Sequence, residues 1–213
     1  NQPVLLKTCR KTYIILQSSR FTLIPQSIEP EADKLNIYYD FCFPDHTDKI
    51  LCNEWQRNQL YNLFGVNKDI YAFLKRTFDN PLFLHQLTPL CEYFYKRSKV
   101  GNNSKMYIHL QKKWIDIACF NKKGLLFANS FEYGDIHDAA YYILNVWEQQ
   151  GFDQEKDELQ LTGDKEPRQI ITRIAQEYIR QVMPSIFPPQ LFKLGKETLE
   201  APFDLTVIPL CEL

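Results

Sequence analysis

The chain has 213 residues, of which 45% are hydrophobic and 24% are charged, and its formal net charge at pH 7 is -1. That apolar content is ample for a buried core, arranged as one large domain or as two smaller lobes. The near-neutral charge argues against a dedicated binder of nucleic acid or of an anionic membrane surface, since such proteins usually carry a strong positive excess. No run of 18 apolar residues is present, so no membrane insertion is predicted.

The cysteines indicate the compartment. Six occur in apolar contexts without CxxC spacing: Cys9, Cys42, Cys52, Cys91, Cys119 and Cys211. We expect buried thiols at these positions, because a chain of this size does not need disulfides and no signal peptide is recognised. The predicted localisation is the reducing cytoplasm. A segment lost before Asn1 is left open, since the chain does not begin with methionine.

The first half of the chain predicts several strands and two clear helices. Apolar runs and alternation predict strands at residues 4–9, 12–17, 21–24, 35–43, 50–52 and 59–66. Pro25 is expected to begin a short turn or helix. Asn67 is a suitable cap for a helix reaching Phe78, and Thr88-Pro89 is expected to open another helix.

A polar run at residues 98–104 follows these elements. It contains Gly101, Asn102 and Asn103 and has no apolar periodicity, which is typical of a connecting segment. The sequence therefore predicts two lobes, 1–104 and 105–213.

The second lobe begins with a predicted three-stranded meander at residues 106–110, 114–120 and 125–131. Its second turn ends at Gly124, which is free to take the positive φ that such a turn needs. Asp135 caps a helix that ends at Gly151, and a strand at 159–163 follows. The pattern then predicts a helix from Pro167 to Pro184 and a last strand at 203–210.

The resulting order is strand, strand, strand, helix, strand, helix, strand, which resembles one ribonuclease H-like half of the actin-like ATPase superfamily. Members of that superfamily pair two such lobes around a nucleotide cleft. The chain resembles bacterial PilM-like pilus-assembly proteins and an uncharacterised bacterial family with an actin-like fold. The residues that look like the latter family are 21–25, 61–64, 127–131, 141–142 and 211–213. The resemblance implies an α/β fold of two ribonuclease H-like lobes, with mixed sheets flanked by helices, over nearly the whole chain.

The superfamily's phosphate hairpins use Asp-Gly followed by a hydroxyl residue, because glycine lets backbone amides approach the phosphates while the carboxylate helps to position a metal ion. This sequence contains no Asp-Gly, and the corresponding hairpin at 109–114 carries bulky side chains. Of the paired glycines expected on the adenosine side only Gly163 remains. None of the seven glycines forms a GxG pattern, which argues against a Rossmann or P-loop site. Loss of nucleotide hydrolysis is therefore predicted.

Other candidates for chemistry have plainer explanations. Asp116 is expected to be a solvent-facing strand acid, because a ribonuclease H-type nuclease needs several acids around two metal ions. The four histidines, His46, His85, His109 and His137, lack metal-ligand spacing and are expected at the surface or satisfied in the core. No catalytic residue and no metal ligand are predicted.

Two hypotheses follow. The first is a non-catalytic actin-like adaptor or scaffold that binds an unidentified protein or peptide, with no cofactor and with homo-oligomerisation left open. The second is a divergent ATP-binding protein or weak ATPase that uses ATP and magnesium. Its weak candidate contacts are Lys112, Lys113, Gly163 and Asp164, although an ordinary polar hairpin also explains the lysines. The first hypothesis is preferred, and enzymatic activity is not expected.

Overall fold

The computed structural model describes residues 11–28, 34–185, 188–195, 198 and 201–211. The predicted strand at 4–9 and Cys9 lie outside this part of the chain. Two compact units are present, one formed by the described residues within Asn1–Glu54 together with Gln59–Thr88, and the other by Trp55–Asn58 with Pro89–Leu213. Residues 89–104 thus group with the second unit, whereas the sequence predicts a boundary after residue 104, and the lobe boundary stays a prediction.

The first unit combines two sheets with two helices. Its elements are β1 (Tyr13–Leu16), β2 (Phe21–Pro25), α1 (Leu35–Cys42), β3 (Lys49–Trp55), β4 (Leu60–Val66), α2 (Lys68–Thr77) and β5 (Leu82–His85). β1 and β5 pair in parallel, and β2, β4 and β3 form the other sheet in that order. Asn67 caps α2 as predicted, because its side-chain oxygen accepts hydrogen bonds from the amides of Asp69 and Ile70.

The prediction of an extended segment at 35–43 is wrong, since these residues form α1. Aromatic and apolar residues dominate the segment, and that composition is typical of strands. However, Leu35, Tyr38 and Tyr39 recur at helical spacing and pack against Ile24 and Leu63 of the sheet. Burial of this helical stripe outweighs the local preference for strand.

The second unit has one mixed sheet flanked by helices. Its elements are α3 (Leu87–Ser98), β6 (Lys105–Leu110), β7 (Trp114–Asn121), β8 (Gly124–Glu132), α4 (Ile136–Gln149), β9 (Glu158–Gly163), α5 (Lys165–Ala175) and β10 (Gln181–Pro184). The strands lie in the order β10-β9-β6-β7-β8. β6, β7 and β8 form the predicted antiparallel meander, and β6, β9 and β10 are parallel. The predicted order of strands and helices and the α/β fold class are confirmed.

The last predicted strand lies elsewhere. α5 ends at Ala175 rather than at Pro184, and the strand that follows is β10, in which Val182 pairs with Leu159. Residues 203–210 were expected to form the strand, but they form a one-turn helix, Phe203–Thr206, and a 3-10 turn, Ile208–Leu210. Prolines explain the difference: Pro202 is the N-cap of the one-turn helix and Pro209 is the second residue of the 3-10 turn, and proline there fixes φ near a helical value and donates no hydrogen bond to a strand partner.

Both faces of the second sheet are covered. α4 and α5 pack on the face that presents Met106 and Ile108, and Ile143 and Trp147 of α4 are buried there at roughly 1.5–3 kcal/mol each. On the other face Phe94 of α3 stacks on Tyr107, with ring centroids 4.3 Å apart. The alternation of residues along these strands therefore does not separate a solvent-exposed face of the sheet from a buried one.

The structure contradicts two predictions of side-chain exposure, one for Asp116 and one for the cysteines. Asp116, expected to face solvent, is 2% exposed and accepts a hydrogen bond from the Ser130 hydroxyl, because its face of the sheet is covered. Cys91, Cys119 and Cys211 are buried as predicted. Cys42, at the end of α1, and Cys52, in β3, are exposed, which contradicts the prediction of buried thiols. The five described cysteines are free thiols.

Within the described ranges no helix has both the length and the apolar character needed to span a membrane.

Candidate functional site

A groove of about 630 Å³, lined by both charged and apolar side chains, lies in the second unit, at the turn between β6 and β7 and beside the first turns of α4 and α5. We call it the hairpin groove. Its lining residues are Lys112, Tyr133, Gly134, Asp135, Ile136, Asp164, Lys165, Glu166, Pro167 and Ile170. Of the four predicted contacts, Lys112 and Asp164 line this groove, whereas Lys113 and Gly163 do not.

Gly163 has a structural explanation. Its φ is +93°, and a Cβ atom at this position would lie 1.9 Å from the carbonyl oxygen of Leu110. The amide of the next residue, Asp164, donates a hydrogen bond of 2.8 Å to the same oxygen. The end of β9 therefore passes so close to β6 that only glycine fits, with or without a ligand.

The start of α4 is already occupied by carboxylates. The Asp135 side chain accepts a hydrogen bond of 2.8 Å from the amide of His137, and the Asp138 carboxylate accepts from the amides of Gly134 and Asp135 at 3.3 and 3.0 Å. This capping box satisfies the amides that a phosphate group would use at a helix start.

The start of α5 is less fully capped. The Asp164 side chain makes no capping hydrogen bond, and Pro167 has no N–H. The N–H groups that remain in the first turn of α5 are therefore those of Lys165 and Glu166. The side chains lining the groove supply three carboxylates, from Asp135, Asp164 and Glu166, against two ammonium groups. That balance repels a polyphosphate, which carries several negative charges.

Metal ions could offset such repulsion, but the side chains do not form a metal site. In the described part of the chain no group of three or more His, Cys, Asp or Glu side chains is arranged to hold a metal ion. The hairpin groove thus brings two of the four predicted residues, Lys112 and Asp164, together.

The hairpin itself is held from within the core. Thr162 Oγ1 donates to the carbonyl oxygen of Ile108 at 2.9 Å, so it accepts the bond from His109 Nδ1 at 3.1 Å. His109 Nε2 then accepts from the side-chain Nε2 of Gln111 at 3.3 Å. Burial lowers the pKa of His109 to about 4, so the ring is neutral near pH 7. His109 is the satisfied core histidine that the sequence predicts.

His85 in the first unit shows the same behaviour. Its Nε2 lies 2.9 Å from the carbonyl oxygen of Ser18, to which it donates, and its Nδ1 accepts from the amide of Leu87 at 3.3 Å. Burial lowers its pKa to about 4 as well. Both ring nitrogens of each buried histidine thus have a hydrogen-bond partner.

A second, apolar groove of about 460 Å³ lies in the first unit, between α1 and β2. We call it the β2 groove. Its lining residues are Thr22, Leu23, Ile24, Pro25, Ile28, Ile37, Tyr38, Phe41 and Cys42. None of these side chains is charged, and the sequence alone does not reveal the groove because residues 35–43 read as a strand.

The wall of the β2 groove exposes large apolar side chains. Phe41 is 89% exposed, Ile37 is 62% exposed and Ile28 is 47% exposed. Ile37 and Phe41 are four residues apart on α1, on the side opposite Tyr39, which is buried. Isolated exposed apolar residues are common, but a contiguous group around a concave surface is typical of a binding site.

The described fold belongs to a known class. A protein from Bacteroides thetaiotaomicron with an actin-like ATPase fold and unknown function is 32% identical, with a TM-score of 0.83 over 98% of this chain and 76% of that chain. The PilM–PilN type IV pilus biogenesis complex contains a chain that is 12% identical, with a TM-score of 0.50 over 93% of this chain and 78% of that chain. The actin-like ATPase fold expected from the sequence is thereby confirmed.

The chain belongs to the family described as Protein of unknown function (DUF3822), whose model matches residues 1–182. A search of curated proteins found no match to this chain.

Proposed function

We propose that this protein is a non-catalytic member of the actin-like fold class that binds a protein or peptide partner. The observation that carries the proposal is the β2 groove, an uncharged concave surface walled by Ile37 and Phe41. Burying one such side chain in a complex contributes roughly 1.5–3 kcal/mol. Aromatic residues in concave apolar settings are also typical binding hot spots.

The hairpin groove supports the non-catalytic part of the proposal. The capping box of α4 engages its first amides, and carboxylates outnumber ammonium groups around the groove. The similarity in fold to PilM, which was solved in a complex with PilN, supports a protein partner.

Photo-cross-linking at the groove tests the proposal. Benzoylphenylalanine is placed at Phe41, and in a separate control at Tyr141, which is 63% exposed on α4 of the second unit. We expect irradiation of cells that naturally produce the protein to give a discrete adduct from position 41 and none from position 141. No adduct at position 41, or the same adducts at both positions, would contradict the proposal.

The second candidate, an ATP-binding protein or weak ATPase, is favoured by one observation. Lys112 and Asp164 meet in a groove of about 630 Å³, beside the amides of Lys165 and Glu166. Lys113 supplies a matched control, because it is exposed on the same hairpin but does not line the groove.

Calorimetric titration with ATP and magnesium separates the two functions. We expect no saturable heat at millimolar nucleotide. Saturable binding that Lys112→Ala removes and Lys113→Ala retains would establish the second candidate instead.

A further inference from the structure

We infer that the occupant of the β2 groove is an extended apolar segment of a partner protein, which pairs with the outer edge of β2 as an additional strand. This inference rests on the proposed function and names the chemistry of the partner. It is carried by the backbone of β2 together with the shape and composition of the groove beside it.

The outer edge of β2 is open in the described chain. β2 is the first strand in the order β2-β4-β3, and it pairs with β4 in antiparallel fashion. The amide of Gly65 donates to the carbonyl of Arg20, and the amide of Gln26 donates to the carbonyl of Gln59. Even-numbered residues of β2 therefore direct their backbone groups toward β4.

Odd-numbered residues of β2 consequently direct their backbone groups outward. The N–H and C=O groups of Phe21 and Leu23 point to the open edge, and none of these groups has a partner among the described residues. Pro25 follows at the third outward position, where its missing N–H costs no ladder bond. Such an edge is a template for one more strand, and strand addition is a recurring mode of peptide binding.

The β2 groove follows this edge. Four consecutive β2 residues, Thr22 to Pro25, line it, although side chains of neighbouring strand residues point to opposite faces. Lining by residues of both faces places the groove along the β2 backbone, beside α1. Ile37 and Phe41 of α1 form the opposite wall, which would receive alternate side chains of an added strand.

The composition of the walls defines those side chains. All nine lining residues are uncharged, and Thr22, Tyr38 and Cys42 are the ones that carry a hydroxyl or a thiol. An occupant with apolar residues at every second position matches the walls, whereas a charged residue at those positions would lose its hydration without a partner. Pro25 has no N–H to donate, so the ladder of backbone hydrogen bonds along β2 ends there. A short partner segment is therefore long enough to pair with this edge.

A second copy of this chain is a poorer fit. An isologous contact sets the same surface against itself, so each concave groove would face another concave groove. The volume of about 460 Å³ in each copy would then lack a filling segment. A separate extended segment fills the groove and bonds to the edge at the same time.

Selection from a phage library of random dodecapeptides on the intact protein supplies the probe. We expect recovered peptides to share apolar residues at every second position. Saturating peptide should slow alkylation of Cys42 about tenfold through mass action, while Cys52, an exposed cysteine on β3 outside the groove, keeps its rate. The buried cysteines serve as unreactive internal references.

Amide hydrogen exchange then tests the strand itself. The Leu23 amide should be slowed about tenfold or more by the same peptide, while the Thr22 and Ile24 amides, already facing β4, should change little. Recovered peptides with apolar residues at helical spacing, protection of Cys42 without protection of Leu23, or no recovered peptide would overturn the inference. So would a dimer in light scattering that the Phe41→Asp substitution converts to monomer. A helical peptide protecting Cys42 would refute the strand and leave the proposed function standing.

Discussion

Replacing Gly163 with alanine distinguishes a structural glycine from a nucleotide-binding one. The added Cβ atom would lie 1.9 Å from the Leu110 carbonyl oxygen and 2.7 Å from its amide nitrogen, and these are backbone atoms inside a buried sheet. The φ of +93° adds the strain of a left-handed conformation, roughly 1–2 kcal/mol. Relief of the clash requires separation of β6 from β9, so we expect the free energy of unfolding to fall by about 3–5 kcal/mol.

Gly151→Ala is the matched control, because Gly151 also has a positive φ, of +66°, but has nothing within 4 Å of an added Cβ. Its cost should be the backbone strain alone, about 1 kcal/mol. Urea unfolding of both variants, followed by tryptophan fluorescence, measures the difference. Equal, small losses in the two variants would refute the close approach of β6 and β9 as the reason for Gly163.

Three further predictions concern the buried groups. Burial lowers the pKa values of His85 and His109 to about 4 from 6.5, so on acidification the unfolded chain takes up protons before the folded one. The free energy of unfolding should therefore fall by up to about 3 kcal/mol per histidine as the pH drops from 6.5 to 4. Urea unfolding of His109→Gln should show a weaker pH dependence than that of the wild type. Glu92→Ala removes a 4% exposed carboxylate that lies 3.2 Å from the Arg57 guanidinium, and calorimetry should show a loss of about 3 kcal/mol; an unchanged melting temperature would mean that solvent screens this pair. Gly65→Ala would place a Cβ atom 2.1 Å from the hydroxyl oxygen of a buried tyrosine, so chemical denaturation should show a loss of at least about 2 kcal/mol, and an unaffected midpoint would contradict that packing.

The fold could be predicted where short-range signals agree. The meander at β6, β7 and β8, the cap at Asp135 and the stop at Gly151 each depend on neighbouring residues, and all lie where the sequence predicts them. α1 could not be recognised, because its helical stripe becomes evident only when Ile24 and Leu63 are placed beneath it. The 203–210 segment failed for a similar reason, since its apolar residues fit a strand and a buried turn equally well.

The candidate site could likewise be predicted from the sequence only in part. Lys112 and Asp164 meet because a strand end and a hairpin of neighbouring strands share one edge of the sheet, which follows from the predicted topology. The β2 groove requires the tertiary arrangement of α1 beside an edge strand, and no local motif encodes it. Ile37 and Phe41 are four residues apart, but this spacing puts them on one face only once the segment is known to be a helix.

Calorimetric titration of the partner recovered by cross-linking at position 41 most directly tests the binding of a partner through the β2 groove. Two variants are compared with the wild type: Ile37→Asp, which alters the groove wall, and Ile70→Asp, which alters an isoleucine that is 52% exposed on α2 and outside the groove. Ile37→Asp should weaken binding about 10–100-fold, because it removes roughly 1.5–3 kcal/mol of apolar contact, and Ile70→Asp should leave it unchanged. Equal affinities in all three proteins, or equal losses in both variants, would contradict partner binding through this groove.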